Sequence, residues 1–427
     1  MLPKLVFFLY FLLTFYTVDP RPYPEGTTWA GYTSELYANG LPGARTLVVD
    51  PAGDILVLAR DNAIGQIMSL WEDTLGTVQK SVIVQANLGL NHGLALYQGY
   101  LYASSDTTVY RWKYNAAQRQ PVANMTSPEI VVRGMNANGH GGAPRGHSTR
   151  SLIFKNNTLY ISVGSNQNVD PNSRRARIRM VDIRTIPAGG YDFLTAQVFA
   201  DGLRNEVGLS FDLRGRFWGV ENGADNLNRM NLGGDIHEDN PAEELNLFNG
   251  TIGTFYGYPF CWTEYKIPGG LGKGRGSQWA WPSFMNDGIH TDAWCRNVFH
   301  NRPPVLALPA HSAPLGITFY DGDNCGGAQS FDCSMKGDAF IAFHGSWDRK
   351  VPTGFKVVHV PFTTNTSNPM PTGAVQDVFG QKNAKKKCAG KRNLSCMRPV
   401  NAVFRKGMMF VSSDATGEVI RVRKDTG

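Results

Sequence analysis

The amino-acid sequence predicts an all-β chain, a six-bladed β-propeller with loop insertions. Three observations carry that reading. One hairpin motif recurs six times, long amphipathic helical periods are absent from the repeats, and 47 of the 427 residues are glycine, above the usual share of about 7%. The excess suits a chain that turns tightly and often. Charged residues make up only 18%, with a formal net charge of +7, which excludes a disordered charged tail and a coiled coil. Nine tryptophans and 42% hydrophobic residues supply a large core.

Each copy reads as a polar residue, an alternating apolar run, a Gly/Asn/Asp turn and a second apolar run. The copies occupy residues 46–60, 92–104, 147–163, 205–220, 311–343 and 401–413, the fifth interrupted before it resumes at Gly337. Period-2 apolar runs joined by such turns are β-hairpins. The turns fall near residues 53, 99, 157, 215, 337 and 406, and most spacings match one four-stranded blade. A pair of β-sandwiches would not copy one hairpin six times. The long gap between the fourth and fifth turns carries Cys261, Cys295 and the Pro- and Trp-rich stretch 259–304.

The N-terminus has Lys4 followed by an apolar run over 5–16, too short for the roughly 20 residues that span a bilayer. That is the layout of a signal peptide, so residues 1–19 are expected to be a signal and 20–427 one propeller domain. An uncleaved anchor is the competing reading, because no small-x-small triplet precedes Asp19. All six cysteines follow residue 260, and sequential pairing (261 with 295, 325 with 333, 388 with 396) brackets a polar or Gly-rich loop each time. No pair has zinc-type spacing. Five sequons, at Asn124, Asn156, Asn249, Asn365 and Asn393, complete the expectation of a secreted glycoprotein.

A polar residue leads the inner strand in most copies: His92, His147, Asn205, His311 and Asn401. In a propeller the first strand of each blade lines the channel, so these residues should ring one mouth. Strand capping is the plain alternative.

Six segments stand out: 146–150, 202–205, 221–225, 235–246, 343–349 and the basic loop 382–392. The run Asp235-Ile-His-Glu-Asp-Asn-Pro-Ala-Glu-Glu-Leu-Asn246 and the segment Phe343-His-Gly-Ser-Trp-Asp-Arg349 are the specific ones. Through them the chain, from about residue 30 onward, resembles the soluble pyrroloquinoline-quinone (PQQ) sugar dehydrogenases. Within that group it is most similar to the fungal secreted pyranose dehydrogenases of auxiliary activity family 12. The resemblance implies a quinoprotein oxidising a pyranose or 2-keto sugar hydroxyl by hydride transfer to Ca²⁺-bound PQQ. It further implies His147 as general base and Arg204 as stabiliser of the developing oxyanion. Gly223 and Ala224 are then expected to offer carbonyl oxygens to the metal, with Asn222 assisting.

PQQ is a planar ortho-quinone with three carboxylates, so its site needs cations and a flat slot. Arg60, Arg204 and Arg349 can supply guanidinium forks, Asn205 and His344 hydrogen bonds, and Trp347 a stacking face. Plainer roles stand beside these: Arg204 paired with Glu206 or Glu221, His344 as a blade histidine, Trp347 as core. The acidic run Glu238, Asp239, Glu243, Glu244 reads better as a structural turn than as a second calcium site. The basic loop, with Lys382, Lys385, Lys386, Lys387, Lys391 and Arg392, is either a solvated face or a dock for an acidic electron acceptor.

Electrons are expected to leave to a separate acceptor, a secreted cytochrome or a copper polysaccharide oxygenase. The expected chain is a monomer without nucleic-acid or membrane partners. Two other classes share the architecture, a calcium-dependent lactonase and a non-catalytic glycan-binding propeller. The first would place several acidic side chains around one ion, and the second needs no convergent His and Arg.

Overall fold

The computed structural model describes residues 26–60, 64–136, 146–171, 174–364, 366–389 and 395–426. The signal segment, Asn365, Asn393, Lys391 and Arg392 lie outside them. Six sheets are laid out one after another. The two innermost strands of the blades are Ala44–Val49 with Ile55–Ala59, Leu94–Tyr97 with Tyr100–Ser104, and Leu152–Lys155 with Thr158–Val163 in blades one to three. In blades four to six they are Glu206–Phe211 with Phe217–Glu221, Pro314–Phe319 with Ala339–Phe343, and Pro399–Arg405 with Met408–Ser413. These are the six hairpins of the repeat. At Asn156-Asn157 both turn residues have positive φ (48° and 64°), which suits asparagine and the right-handed twist of the flanking strands.

The ring closes through the chain's own start. Tyr32–Ala38 pairs antiparallel with Glu418–Lys424 as the outermost strand of blade six, and Gly26–Thr28 joins the outer edge of blade five. Closure leaves only short outer edges instead of a long exposed one. Packing follows the same circle. Six apolar clusters each join neighbouring blades, from Leu56, Leu58 and Trp112 between one and two to Tyr37, Ile55 and Phe410 between six and one. The second strands of blades one and five are buried at every position, which is why they read as continuous apolar runs.

All three disulfides link neighbouring cysteines: Cys261–Cys295, Cys325–Cys333 and Cys388–Cys396. The first ties the hairpin Cys261–Thr263/Gln278–Ala280 to a short helix, Asp292–Arg296. Trp262, Trp279 and Trp281 of this insertion pack on Ala224, Leu227, Leu232 and Ile236. The loop after blade four's second strand is thereby held against the body. Among the described residues no helix is long and apolar enough to cross a membrane.

Candidate functional site

The inner strands of all six blades meet on a small central void lined by Thr46, Leu94, Leu152, Val207, Leu315 and Asn401. At one end the channel opens into a cavity of about 920 Å³. Two rings of residues build it. One comes from positions leading into first strands: His147, Asn205, His311, Ala313 and Arg398. The other comes from positions just after second strands: Asn222 and Gly223, His344 and Gly345, Asp414 and Ala415. Both meet at one mouth because a hairpin's two open ends lie side by side.

His147 is partly buried, and its ring Nδ1 stands 3.0 Å from the Ser165 carbonyl oxygen. A carbonyl only accepts, so Nδ1 carries the proton and the lone pair lies on Nε2. Burial, then the neighbouring Arg204 charge, pushes the imidazole down to about 3, well under the ordinary value near 6.5 expected from the sequence. The ring is therefore neutral over the whole working range.

Arg204 is buried, and its guanidinium is engaged on every side. It donates to the Asn168 backbone oxygen (3.2 Å) and Oδ1 (3.0 Å), to the carbonyls of Asn222 (3.2 Å) and Gly223 (2.5 Å), and to Asp225 (2.8 Å). The ion-pair partner is thus Asp225, not Glu206 or Glu221; Glu221 accepts from the Arg204 backbone N–H instead. Burial alone would raise Asp225, but His311, 3.7 Å away, and the Arg204 charge hold it below the usual carboxylate range. Glu243 accepts from the backbone N–H groups of Gly223 and Ala313, and burial pushes it up to about 7.

Across the mouth, His344 Nε2 lies 2.9 Å from Asp414, and Arg45 donates to the other carboxylate oxygen at 2.7 Å. Arg45 Nε in turn donates to His92 Nδ1 at 3.0 Å. Against the effect of burial, the charges of His344, Arg45 and Arg398 keep Asp414 far below its ordinary pKa. Arg398 donates to the Gly345 carbonyl at 3.0 Å. Trp347 leaves 52% of its surface exposed at the rim, which removes the reading of it as core.

Of the residues expected from the sequence, His147, Arg204, Asn205, Asn222, Gly223, His344 and Trp347 line this cavity. Three others do not. Arg60 is exposed beyond blade one's second strand, Ala224 is buried against Trp262 and Trp281, and Arg349 pairs with Asp239 (3.2 Å) and Glu238 (3.9 Å). That pairing also gives the acidic run its structural role, with Glu238 accepting from the Lys350 N–H. His92 and Asn401 sit deeper, on the central void.

Arg398 and Asp414 were not read from the sequence, yet a signal existed. Asn401, the expected leader of the sixth copy, lies inside the strand Pro399–Arg405, and Arg398 is the residue that precedes it. Asp414 follows Ser413 as Asn222 follows Glu221 and His344 follows Phe343.

The oxygen donors around Arg204, namely the Asn222 and Gly223 carbonyls and the Asp225 carboxylate, are the hard ligands a Ca²⁺ ion prefers. They already hold a cationic group, so the chemistry of the donor set fits a cation. The cavity volume, Arg398 and the exposed Trp347 ring fit a flat, anionic cofactor.

A family model described as TrAA12-like matches residues 27–425, and the chain belongs to that family. It is 33% identical over 426 residues to the pyrroloquinoline quinone-dependent sugar dehydrogenase of Hypocrea jecorina, covering 93% of this chain and 89% of the relative. It is 31% identical over 436 residues to the pyrroloquinoline quinone-dependent pyranose dehydrogenase of Coprinopsis cinerea. That alignment covers 96% of this chain but 56% of the relative, so the chain spans about half that protein's length. The solved holo form of the Coprinopsis pyranose dehydrogenase PQQ domain superposes with a TM-score of 0.80 at 30% identity, covering 95% of this chain and 98% of that one.

Proposed function

We propose that the protein is a quinoprotein dehydrogenase that oxidises a sugar hydroxyl, a pyranose or 2-keto sugar being the substrate class. PQQ would lie against Trp347, with Arg398 facing its carboxylates. The Asn222 and Gly223 carbonyls would hold Ca²⁺. The bound quinone supplies a two-electron hydride acceptor polarised by the metal.

The chain's own residues prepare the proton side. His147 is held by Ser165 as a neutral ring with its lone pair on Nε2, ready to take the proton of a substrate hydroxyl. Arg204, on the same cavity wall, presents a guanidinium to negative charge developing beside it. Asp414 fixes the His344 ring at the opposite wall. The observation that carries this reading is the neutral, oriented His147 in one cavity with Arg204 and Arg398. A lactonase would want carboxylates around a single ion, whereas here Asp225 and Asp414 are each tied to arginine and histidine. The chain is further proposed to be exported, to act as a monomer and to pass electrons to an external acceptor. Three disulfides and no free cysteine support export.

The test is titration of metal-free protein with PQQ and CaCl₂, followed by dye reduction with a panel of pyranoses. Saturable binding is expected, with His147→Ala binding the quinone normally but turning over at least ~100-fold more slowly. No binding at micromolar quinone would overturn the reading.

A further inference from the structure

Behind the cavity wall formed by Gly345 and Arg398 lies one fully buried side chain, Phe355. Its ring is so close to Gly345 that a Cβ there would sit 2.6 Å from it, and the Arg398 guanidinium carbon is 4.8 Å from the ring centroid. The opposite side of Phe355 packs on the disulfide partners Cys388 and Cys396 and on Ala384. Phe355 also lines a second, outer groove of about 550 Å³, together with Gly380, Ala384, Lys385 and Lys386. Phe355, with the Cys388–Cys396 disulfide and Ala384 packed on it, thus lies between the cavity wall and the outer groove.

The backbone of Phe355 marks the place as unusual. Its φ is +59°, a left-handed conformation that is strained for a bulky residue and persists only where the surroundings impose it. Its carbonyl accepts from the Gln381 N–H, on the strand that runs into the basic segment. Outside, Lys382, Lys385, Lys386 and Lys387 are all exposed. The one acid lining this groove, Asp377, is paired with Lys356 at 2.6 Å. The surface is therefore a concentrated positive field over the segment packed on Phe355.

We propose that this basic groove, floored by Phe355 and edged by Lys385 and Lys386, docks an acidic one-electron acceptor protein. The inference rests on the dehydrogenase reading above. Oxidising one hydroxyl to a carbonyl releases two electrons and two protons. Two acceptor molecules dock in turn, each takes one electron, and the protons pass to solvent. Electron-transfer rates fall exponentially with distance, and here packed side chains, Phe355 among them, connect the groove to the cavity wall. Clustered lysines raise its encounter rate and orient it there.

Plastocyanin, an acidic blue-copper protein, and cytochrome c, a basic haem protein, serve as probes with the PQQ- and Ca²⁺-loaded protein. In Lys385→Glu/Lys386→Glu the second-order rate of plastocyanin reduction at low salt should fall at least ten-fold. Cytochrome c reduction should rise, and sugar-driven reduction of a small neutral dye should stay unchanged. Lys385→Arg/Lys386→Arg should keep the wild-type plastocyanin rate. Redox-inert zinc-substituted plastocyanin should bind the cofactor-free protein, and the charge reversal should weaken that binding by a similar factor. An unchanged plastocyanin rate in the reversed variant, with dye turnover intact, overturns the docking surface, as does absence of zinc-plastocyanin binding to wild type. Absence of dye turnover in wild type sinks the dehydrogenase reading instead, and the zinc-plastocyanin titration still decides the groove.

Discussion

Blades four and one stand opposite each other in the ring, and their sides of the site treat buried charge in opposite ways. On the blade-four side Glu206, Glu221 and Glu244 converge on the Asn246 amide nitrogen at 3.1, 3.4 and 3.5 Å. Two amide protons face three carboxylates, and burial raises all three groups above their ordinary value. On the side of blades six and one, Asp414 is half-buried on the cavity wall, and Arg45, Arg398 and His344 surround it and hold it ionised. Burial and counter-charge together decide whether an acid keeps its proton.

Removing Asp414 should break the cationic side. Asp414→Ala leaves Arg45 buried beside Arg398 without a carboxylate, and chemical denaturation should show a loss of about 3 kcal/mol or more. Equal stability to wild type would mean that the Arg45–Asp414 pair contributes nothing net.

Next in size is a pH dependence set by Glu243. Its folded pKa of about 7 exceeds the ordinary carboxylate value, so unfolded chains lose this proton at lower pH than folded ones. The contribution is fully present below about 4.5 and is lost as pH rises through about 7, a decline of roughly 3 kcal/mol. Depressed histidines such as His147 slope the other way, so the readout is the difference in stability between wild type and Glu243→Gln, metal-free, which should decline between pH 4.5 and 8. A slope of the same size in the variant would assign it elsewhere.

The smallest effect sharpens the contrast by its sign. Glu206→Gln is isosteric with the protonated acid, so at pH 7 it should shift stability by no more than about 1 kcal/mol, toward greater stability. A loss as large as that of Asp414→Ala would show that Glu206 is ionised in the fold.

Much of this was legible beforehand because propellers write themselves into sequence locally. Each blade's inner hairpin spans some 12 to 30 residues, its turn needs glycine or asparagine, and its buried second strand reads as an apolar run. His147, Arg204, Asn205 and Asn222 were legible because they flank those strands. Arg349 lies off the cavity for a physical reason: a guanidinium beside a conspicuous motif binds whichever carboxylate the fold brings near, and here that is Asp239.

The sequence alone determined the number of blades and which ends of the hairpins face the site, since both follow from short-range pattern; it favoured sequential disulfides among fifteen connectivities, and the structure decided them. Tertiary structure alone decided which charges meet across the ring. Arg45 reaches Asp414 over 369 residues of chain, a contact that exists only because the first strand closes the last blade. It also decided that Phe355 lies between the cavity wall and the basic groove. Partners so far apart in sequence share no local pattern, and closure of the ring supplies the geometry that selects them.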